Sequence, residues 1–420
     1  MPIPEPFRNR LLPRLEAIAE HYGTPFYIYD EAGIKQTGAE LKNAFTGIKK
    51  FQEFFAVKAL PNPVILGIMR DMGFGFDCSS IPELILSRRA GAGPDEIMFT
   101  SNNTSHEEFL FAQKDGGCIL NLDDLSLIGK VPEMPETICF RYNPGAKRDG
   151  NYIIGKPEEA KYGVSDQQIF RAYQLARERG AKRFGLHTML ASNELNYKYM
   201  VQTADMLLGL AEKLHDRLGI ITRFINIGGG LGIPYQPEEQ PLELAAMGKE
   251  ISEHFAAFME RNGHLPALFM ESGRFMTGPH GVLITRAINR KEIYRTHIGV
   301  DASMSSLMRP ALYGSYHHIE VFPERKVAGE RVDIVGSLCE NNDKFAIQRL
   351  MPKIKDGDLL IIQDTGAHGH AMGFTYNGRL RPKELLLKAD GSVEMIRRAE
   401  NLDDYFATLN FAADNLLLGK

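Results

Sequence analysis

Three polar features sit directly behind apolar runs of the sequence, and each is suited to a different piece of chemistry. Lys58 closes FFAVK (54–58). A cationic ammonium is costly to bury, so desolvation there depresses its pKa and makes the amine a competent nucleophile. The plain alternative is a lysine whose ammonium reaches solvent at a rim. Gly228, Gly229 and Gly230 lie in INIGGGLGIPY (225–235). Adjacent glycines let backbone N–H groups converge on a phosphate; the alternative is a tight turn that needs positive φ. Glu271, in MESGR, follows a third apolar run. A carboxylate beside a pyridine nitrogen keeps that nitrogen protonated and makes the ring an electron sink. A lysine for a Schiff base, a nest for phosphate and an acid for a ring nitrogen together describe pyridoxal phosphate.

The elements that must position these groups follow from the pattern around them. Strand-length apolar runs occur at 54–58, 74–79, 97–102, 118–123, 137–143, 183–190, 224–229 and 267–272. Between them lie amphipathic segments such as NPVILGIMRDMG, IPELILSRRAGA, SDQQIFRAYQLARERGA and NYKYMVQTADMLLGLAEKLHDRLG. The last repeats its apolar residues at three- and four-residue intervals, as a helix packed on a sheet does. Eight such units predict a (β/α)8 TIM-like barrel; a doubly wound sheet shows the same alternation, so the count decides. A barrel's site lies at the carboxyl ends of its strands. The polar residues there are Lys58, Asp77, Asn102, Arg141, His187, Gly228 to Gly230 and Glu271.

After about residue 280 the runs become short, β-branched and separated by turn residues, as in GVLITRAI, HHIEVFP, VDIVGSL and DLLIIQD. They predict a mostly β, Greek-key or sandwich-like second domain, with one helical stretch around NDKFAIQRLM. YGTPFYIYD near the N-terminus is strand-like and is expected to join it. The expected division is 30–280 for the barrel and 1–29 with 281–420 for the β domain. The polar stretch 145–163 reads as a long loop near the barrel mouth.

The 420 residues carry a formal net charge of −4 and no basic arm, which gives no electrostatic reason to expect nucleic acid as a partner. No apolar run reaches membrane-spanning length, and MPIPEPFRNRLLPRLEAIAEHYG has no signal-peptide core. Cys78, Cys118, Cys139 and Cys339 form neither a disulfide framework nor a close-spaced metal motif. A cytoplasmic protein is expected. Cys78 reads as a small core residue. The pairs His317 with His318 and His368 with His370 admit a metal reading, but site-lining residues without a metal are the preferred one.

The segments YGTPFYIYD, FFAVKALPNP, GFGFDCSS, INIGGGLGIPY, ESGR, RPALYGSYHHI, VGSLCENND and DTGAHGH, with NGRLRPKELLL after it, cover nearly the whole chain. On them the sequence resembles the fold-type III pyridoxal-phosphate decarboxylases, and within these the diaminopimelate decarboxylase family. The resemblance implies an alanine-racemase-like barrel followed by a β domain, and a homodimer whose active sites are shared between subunits. It implies that Lys58 carries the cofactor, Gly228, Gly229, Gly230 and Ser192 hold its phosphate, and Glu271 holds its pyridinium nitrogen. Cys339, reaching over from the other subunit, would reprotonate the carbanion, and Glu340 would bind the distal amine. Arg274, Arg309 and Tyr313 would clamp the distal carboxylate, a task suited to two guanidiniums and a phenol. By position, Asp77 and Arg141 are expected to orient Lys58 and the cofactor's phenolate region. His187 would face the cofactor or pack at the strand end. The implied reaction converts the small amino acid meso-diaminopimelate into L-lysine and carbon dioxide.

Three positions depart from the family pattern. HIGSQ becomes MLASN, placing Met189 where a histidine stacks on the cofactor. DAGAY becomes DTGAH, so His368 replaces a tyrosine, and the serine usual after CE is Asn341. A thioether covers an aromatic face but donates no proton. These departures keep a related diamino acid open as substrate: D-ornithine, D-lysine or a carrier-bound amino acid. Glu271 argues against a racemase, which tends to place an arginine at the pyridine nitrogen. Cys339 beside Glu340 argues against a protein that only binds the cofactor.

Overall fold

The computed structural model describes residues 3–150, 153, 155–325 and 328–410. Strand β1 (Phe26–Asp30) precedes eight parallel strands. These are β2 (Phe51–Ala56), β3 (Gly75–Cys78), β4 (Ile97–Phe99), β5 (Ile119–Leu122), β6 (Thr137–Arg141), β7 (Arg183–His187), β8 (Thr222–Asn226) and β9 (Ala267–Met270). β9 pairs back onto β2 and closes the barrel, in agreement with the sequence-based expectation.

Phe54, Met98, Ile119, Cys139 and Phe224 pack together with Phe269 as an apolar cluster of barrel-strand residues, a filled core rather than a pore. The outer helices form where they were predicted. Pro63–Asp71 is capped by Asn62, whose side chain accepts the Val64 N–H, and Tyr197–Leu218 ends on Gly219 in the left-handed region. Its buried face, including Met200, Ala204, Leu207, Ala211 and Leu214, follows the helical period. Cys78 is fully buried in the core.

The remaining strands are β10 (Gly281–Glu292), β11 (Thr296–Val300), β12 (Ile319–Phe322), β13 (Gly329–Val335), β14 (Lys344–Pro352), β15 (Leu359–Ile362), β16 (Lys383–Leu387) and β17 (Val393–Arg397). With β1 they form a mixed sheet in the order β14-β13-β11-β10-β1-β16-β17, while β15 pairs with both β10 and β12. β1 lies antiparallel to β10 and parallel to β16, so the N-terminal strand does join the β-rich part. Phe7, Leu11, Leu15 and Ile18 pack beneath it with Val282, Ile284, Leu359 and Leu385.

One expectation is corrected. NDKFAIQRLM is not helical: β14 occupies it and pairs antiparallel with β13. The apolar residues of so short a window fit either period, and pairing with β13 satisfies the backbone. A register shift and Gln348 at φ 48° disguise the alternation. Segment 145–163 is irregular apart from short turns at Gly145–Lys147 and Pro157–Glu159; its residues 151, 152 and 154 lie outside the described ones. Among the described residues no helix is long and apolar enough to cross a membrane.

Candidate active site

A cavity of about 400 Å³ opens at the carboxyl ends of the barrel strands. Lys58, Arg141, His187, Met189, Ser192 and Glu271 line it from the barrel; Arg309, Tyr313 and His368 close it from the β-rich part, with Arg274 between. A larger cavity of about 750 Å³, between the N-terminal segment and the helix Glu31–Ala44, contains none of these groups.

Lys58 stands on a single turn, Val57–Ala59, just past β2, with its side chain half exposed to the cavity. Its Nζ lies 3.4 Å from Oδ2 of Asp77, which is fully buried at the end of β3. This geometry corrects the expected depressed lysine. Desolvation does lower its pKa, but the carboxylates of Asp77, Glu271 and Glu83 outweigh it, and the ammonium is held above its ordinary value. Burial, with Glu271 nearby and Lys58 opposing, pushes the Asp77 carboxyl up to about 7.

Glu271 follows β9 and is buried. Its Oε1 accepts a 2.7 Å bond from the Asn226 amide, and Nε2 of His187 lies 3.2 Å from its Oε2. Burial alone would raise this carboxyl; His187, Lys58 and Arg141 more than offset that and hold it below its usual range. Asn226 also accepts the Gly228 N–H at 2.8 Å, joining the glycine turn to the carboxylate. That role has no sequence signal beyond an asparagine ending β8. Glu53 on β2, likewise unsignalled, accepts the Ser272 backbone N–H and steadies the turn after Glu271.

The glycine turn is tightly enclosed. Gly228 and Gly230 have φ 72° and 99°. A Cβ on Gly228, Gly229 or Gly230 would stand 2.5, 2.2 or 2.5 Å from the carbonyl oxygens of Thr188, Glu271 and Ala191. Met189 lines the cavity, with its sulfur accepting the Gly229 N–H at 3.2 Å. Arg141 donates to the Met189 carbonyl at 3.3 Å and stacks on Tyr162, 4.2 Å from the ring centre.

Arg274 donates to Tyr235 Oη at 2.6 Å and to Ser192 Oγ at 3.4 Å; Arg309 donates to Ser315 Oγ at 3.2 Å. His368 has φ 55°, and its backbone N–H donates to the Ala59 carbonyl at 2.8 Å, beside the lysine turn. Burial and the charges of Arg274, Arg309 and Lys58 keep its imidazole neutral. Cys339 and Asn341 are exposed and Glu340 is partly exposed; none of them lines this cavity.

These residues fit pyridoxal phosphate. An amine and a buried carboxylate reach the same cavity, and a turn that admits no side chain, itself outside the lining, is tied to that carboxylate through Asn226 and to the lining through Met189. Residues 31–278 match the family described as pyridoxal-dependent decarboxylase, pyridoxal binding domain. The chain belongs to the pyridoxal-dependent decarboxylases. It is thus an amino-acid decarboxylase that uses pyridoxal phosphate.

This decarboxylase is 46% identical over 406 residues to Protein TabA of Pseudomonas amygdali pv. tabaci, with 96% of each chain covered. It is 37% identical over 405 residues to the diaminopimelate decarboxylase of Methanothermobacter thermautotrophicus, with 94% of each covered. Among solved structures it resembles a diaminopimelate decarboxylase from M. jannaschii in co-complex with L-lysine, at 27% identity, TM-score 0.88 and 94% coverage of each chain. The Helicobacter pylori enzyme complexed with L-lysine is 28% identical, with a TM-score of 0.85 and coverage of 94% of this chain and 98% of that one.

Proposed function

We propose that this decarboxylase acts on meso-diaminopimelate, releasing carbon dioxide from one end and yielding L-lysine. The observation that carries the reading is the pair Arg274 and Arg309, with Tyr313, in the same cavity as Lys58 and Glu271. A substrate with one carboxylate, the one that leaves, would give this pair no distal carboxylate to bind. A second carboxylate at the far end suits them. Relatives named diaminopimelate decarboxylase support it.

Pyridoxal phosphate, when bound, supplies the sink for the electron pair left at Cα as carbon dioxide departs. Lys58 would hold the cofactor's carbonyl carbon, with Asp77 beside its Nζ. Gly228, Gly229, Gly230 and Ser192 would hold the phosphate. Glu271, kept anionic by Asn226 and His187, would keep a proton on the ring nitrogen. Met189 and His187 would border the ring, and Arg141 its phenolate side, while His368 would touch phosphate or substrate. Arg274, Arg309 and Tyr313 would fix the far carboxylate and so aim the other end.

The proton returned to Cα would come from Cys339, with Glu340 on the distal amine. Both lie outside this cavity, so the reading includes a homodimer in which each subunit lends them to its partner. The proposed division of labour is residues 30–280 for the cofactor and 1–29 with 281–420 for closing the site and pairing. The proposed setting is cytoplasmic.

A second reading, decarboxylation of a related diamino acid, is favoured by Met189 and His368 in the cavity and by a relative that carries another name. Carbon dioxide release from purified protein loaded with pyridoxal phosphate separates the two. The substrates are meso-diaminopimelate, D-lysine, D-ornithine and the L isomers. Release from meso-diaminopimelate well above the rest is expected. Equal or better release from an amino acid without the distal carboxylate would overturn the first reading in favour of the second.

A further inference from the structure

Tyr235 closes the glycine run yet does not line the cavity; it is buried behind it, with 7% of its surface exposed. Two guanidiniums lie close to its ring, Arg274 at 5.7 Å and Arg309 at 5.5 Å from the centroid. Its Oη also accepts the 2.6 Å bond from Nη1 of Arg274. Two like charges sharing a buried corner repel each other, and each ends a long side chain with many rotamers. A ring whose electron-rich face attracts Arg309, and whose oxygen aims Arg274, opposes both tendencies.

The ring is itself held from behind and along the chain. His317 meets it edge-on, with centroids 5.2 Å apart and planes at 76°. Nδ1 of His317 lies 2.8 Å from the Gln363 carbonyl, which can only accept, so Nδ1 carries the proton. Asn193 pairs in both directions with the backbone of Ile233, at 3.2 and 3.0 Å. Glu194 brackets the turn, donating to the Gly230 carbonyl at 2.8 Å and accepting from Gly232 at 2.9 Å. One short loop thereby begins as the cofactor's glycine cradle and ends as the backing of the arginine pair.

We infer that Tyr235 is a positioning residue for substrate recognition, which holds Arg274 and Arg309 side by side, aimed at the substrate's distal carboxylate. This rests on the carboxylate reading proposed above. In that arrangement the carboxylate meets two guanidiniums already ordered, and the ordering cost is met on folding rather than on binding.

The test compares Tyr235→Phe, Tyr235→Leu and Arg309→Ala with the wild-type holoenzyme on meso-diaminopimelate. Tyr235→Phe keeps the ring and loses one charge-assisted bond, so KM should rise about tenfold. Tyr235→Leu loses the ring as well and should raise KM about a hundredfold. In both, KM should change far more than kcat, and the absorption of the bound cofactor should match wild type. A merely structural tyrosine would lower loading, thermal stability and kcat together. If Tyr235→Leu fails to fold, the Phe variant carries the comparison alone. A raised KM in Arg309→Ala with none in the tyrosine variants overturns this inference and leaves the carboxylate reading standing. No change in Arg309→Ala, or a wild type indifferent to the distal carboxylate, overturns both.

Discussion

Gly229→Ala is the perturbation that tests the proposed phosphate cradle most directly. The new Cβ would stand 2.2 Å from the Glu271 carbonyl oxygen, a backbone atom that cannot swing aside. Ordinary contact needs about 3.5 Å, so the turn and the residue after β9 must part by more than about 1 Å. Glu271 N–H bonds to the Gly228 carbonyl at 3.0 Å, so the strain falls on the two features proposed to hold the cofactor's phosphate and ring nitrogen. Overpacking of this kind costs about 1–3 kcal/mol. If the cradle absorbs it, pyridoxal phosphate affinity should fall by roughly five- to 150-fold. The assay is an equilibrium titration of cofactor-free protein, followed by the absorption of the bound cofactor. Gly209→Ala is the control, because a Cβ there meets nothing within 4 Å inside the helix Tyr197–Leu218. It should load normally and gain about 0.5–1 kcal/mol of stability. Wild-type cofactor affinity in Gly229→Ala would refute the assignment of this turn to the phosphate.

Lys58→Ala should lose the absorption of lysine-bound cofactor, whereas Cys339→Ala should keep it and lose turnover. Mixing the two inactive variants should restore activity if subunits share sites, and failure to do so would remove Cys339 from the partner's site. A pH effect follows from His317, which is buried and faces Arg274, Arg309 and Arg349; desolvation and these charges push its pKa down to about 3. The unfolded chain takes up this proton near pH 6.5 and the native state does not, so stability falls as pH drops from about 6.5 toward 3. The share lost by pH 5 is about 2 kcal/mol. His317→Gln should lose that much less between pH 7 and 5 in chemical denaturation; an unchanged pH dependence would mean that another group is responsible.

What the chain reveals by itself is what depends on near neighbours. Strand and helix periods are local, so all eight barrel strands were legible, and with them Lys58, Gly228 to Gly230 and Glu271 as strand-end residues. The NDKFAIQRLM stretch misled because its strand character lies in its partner β13 and not in its own period. The ionisation of Lys58 was misjudged for a related reason. Desolvation can be guessed from an apolar run, but the opposing field comes from Asp77, Glu83 and Glu271, which only the closed barrel brings near it. Asn226 and Tyr235 carried no signal, since their partners Glu271 and Arg274 lie 45 and 39 residues away. Periodicity and strand-end chemistry are properties of short segments and survive in the linear sequence. Through-space fields and the backing of one side chain by another arise only when distant segments pack, and tertiary structure alone decided them.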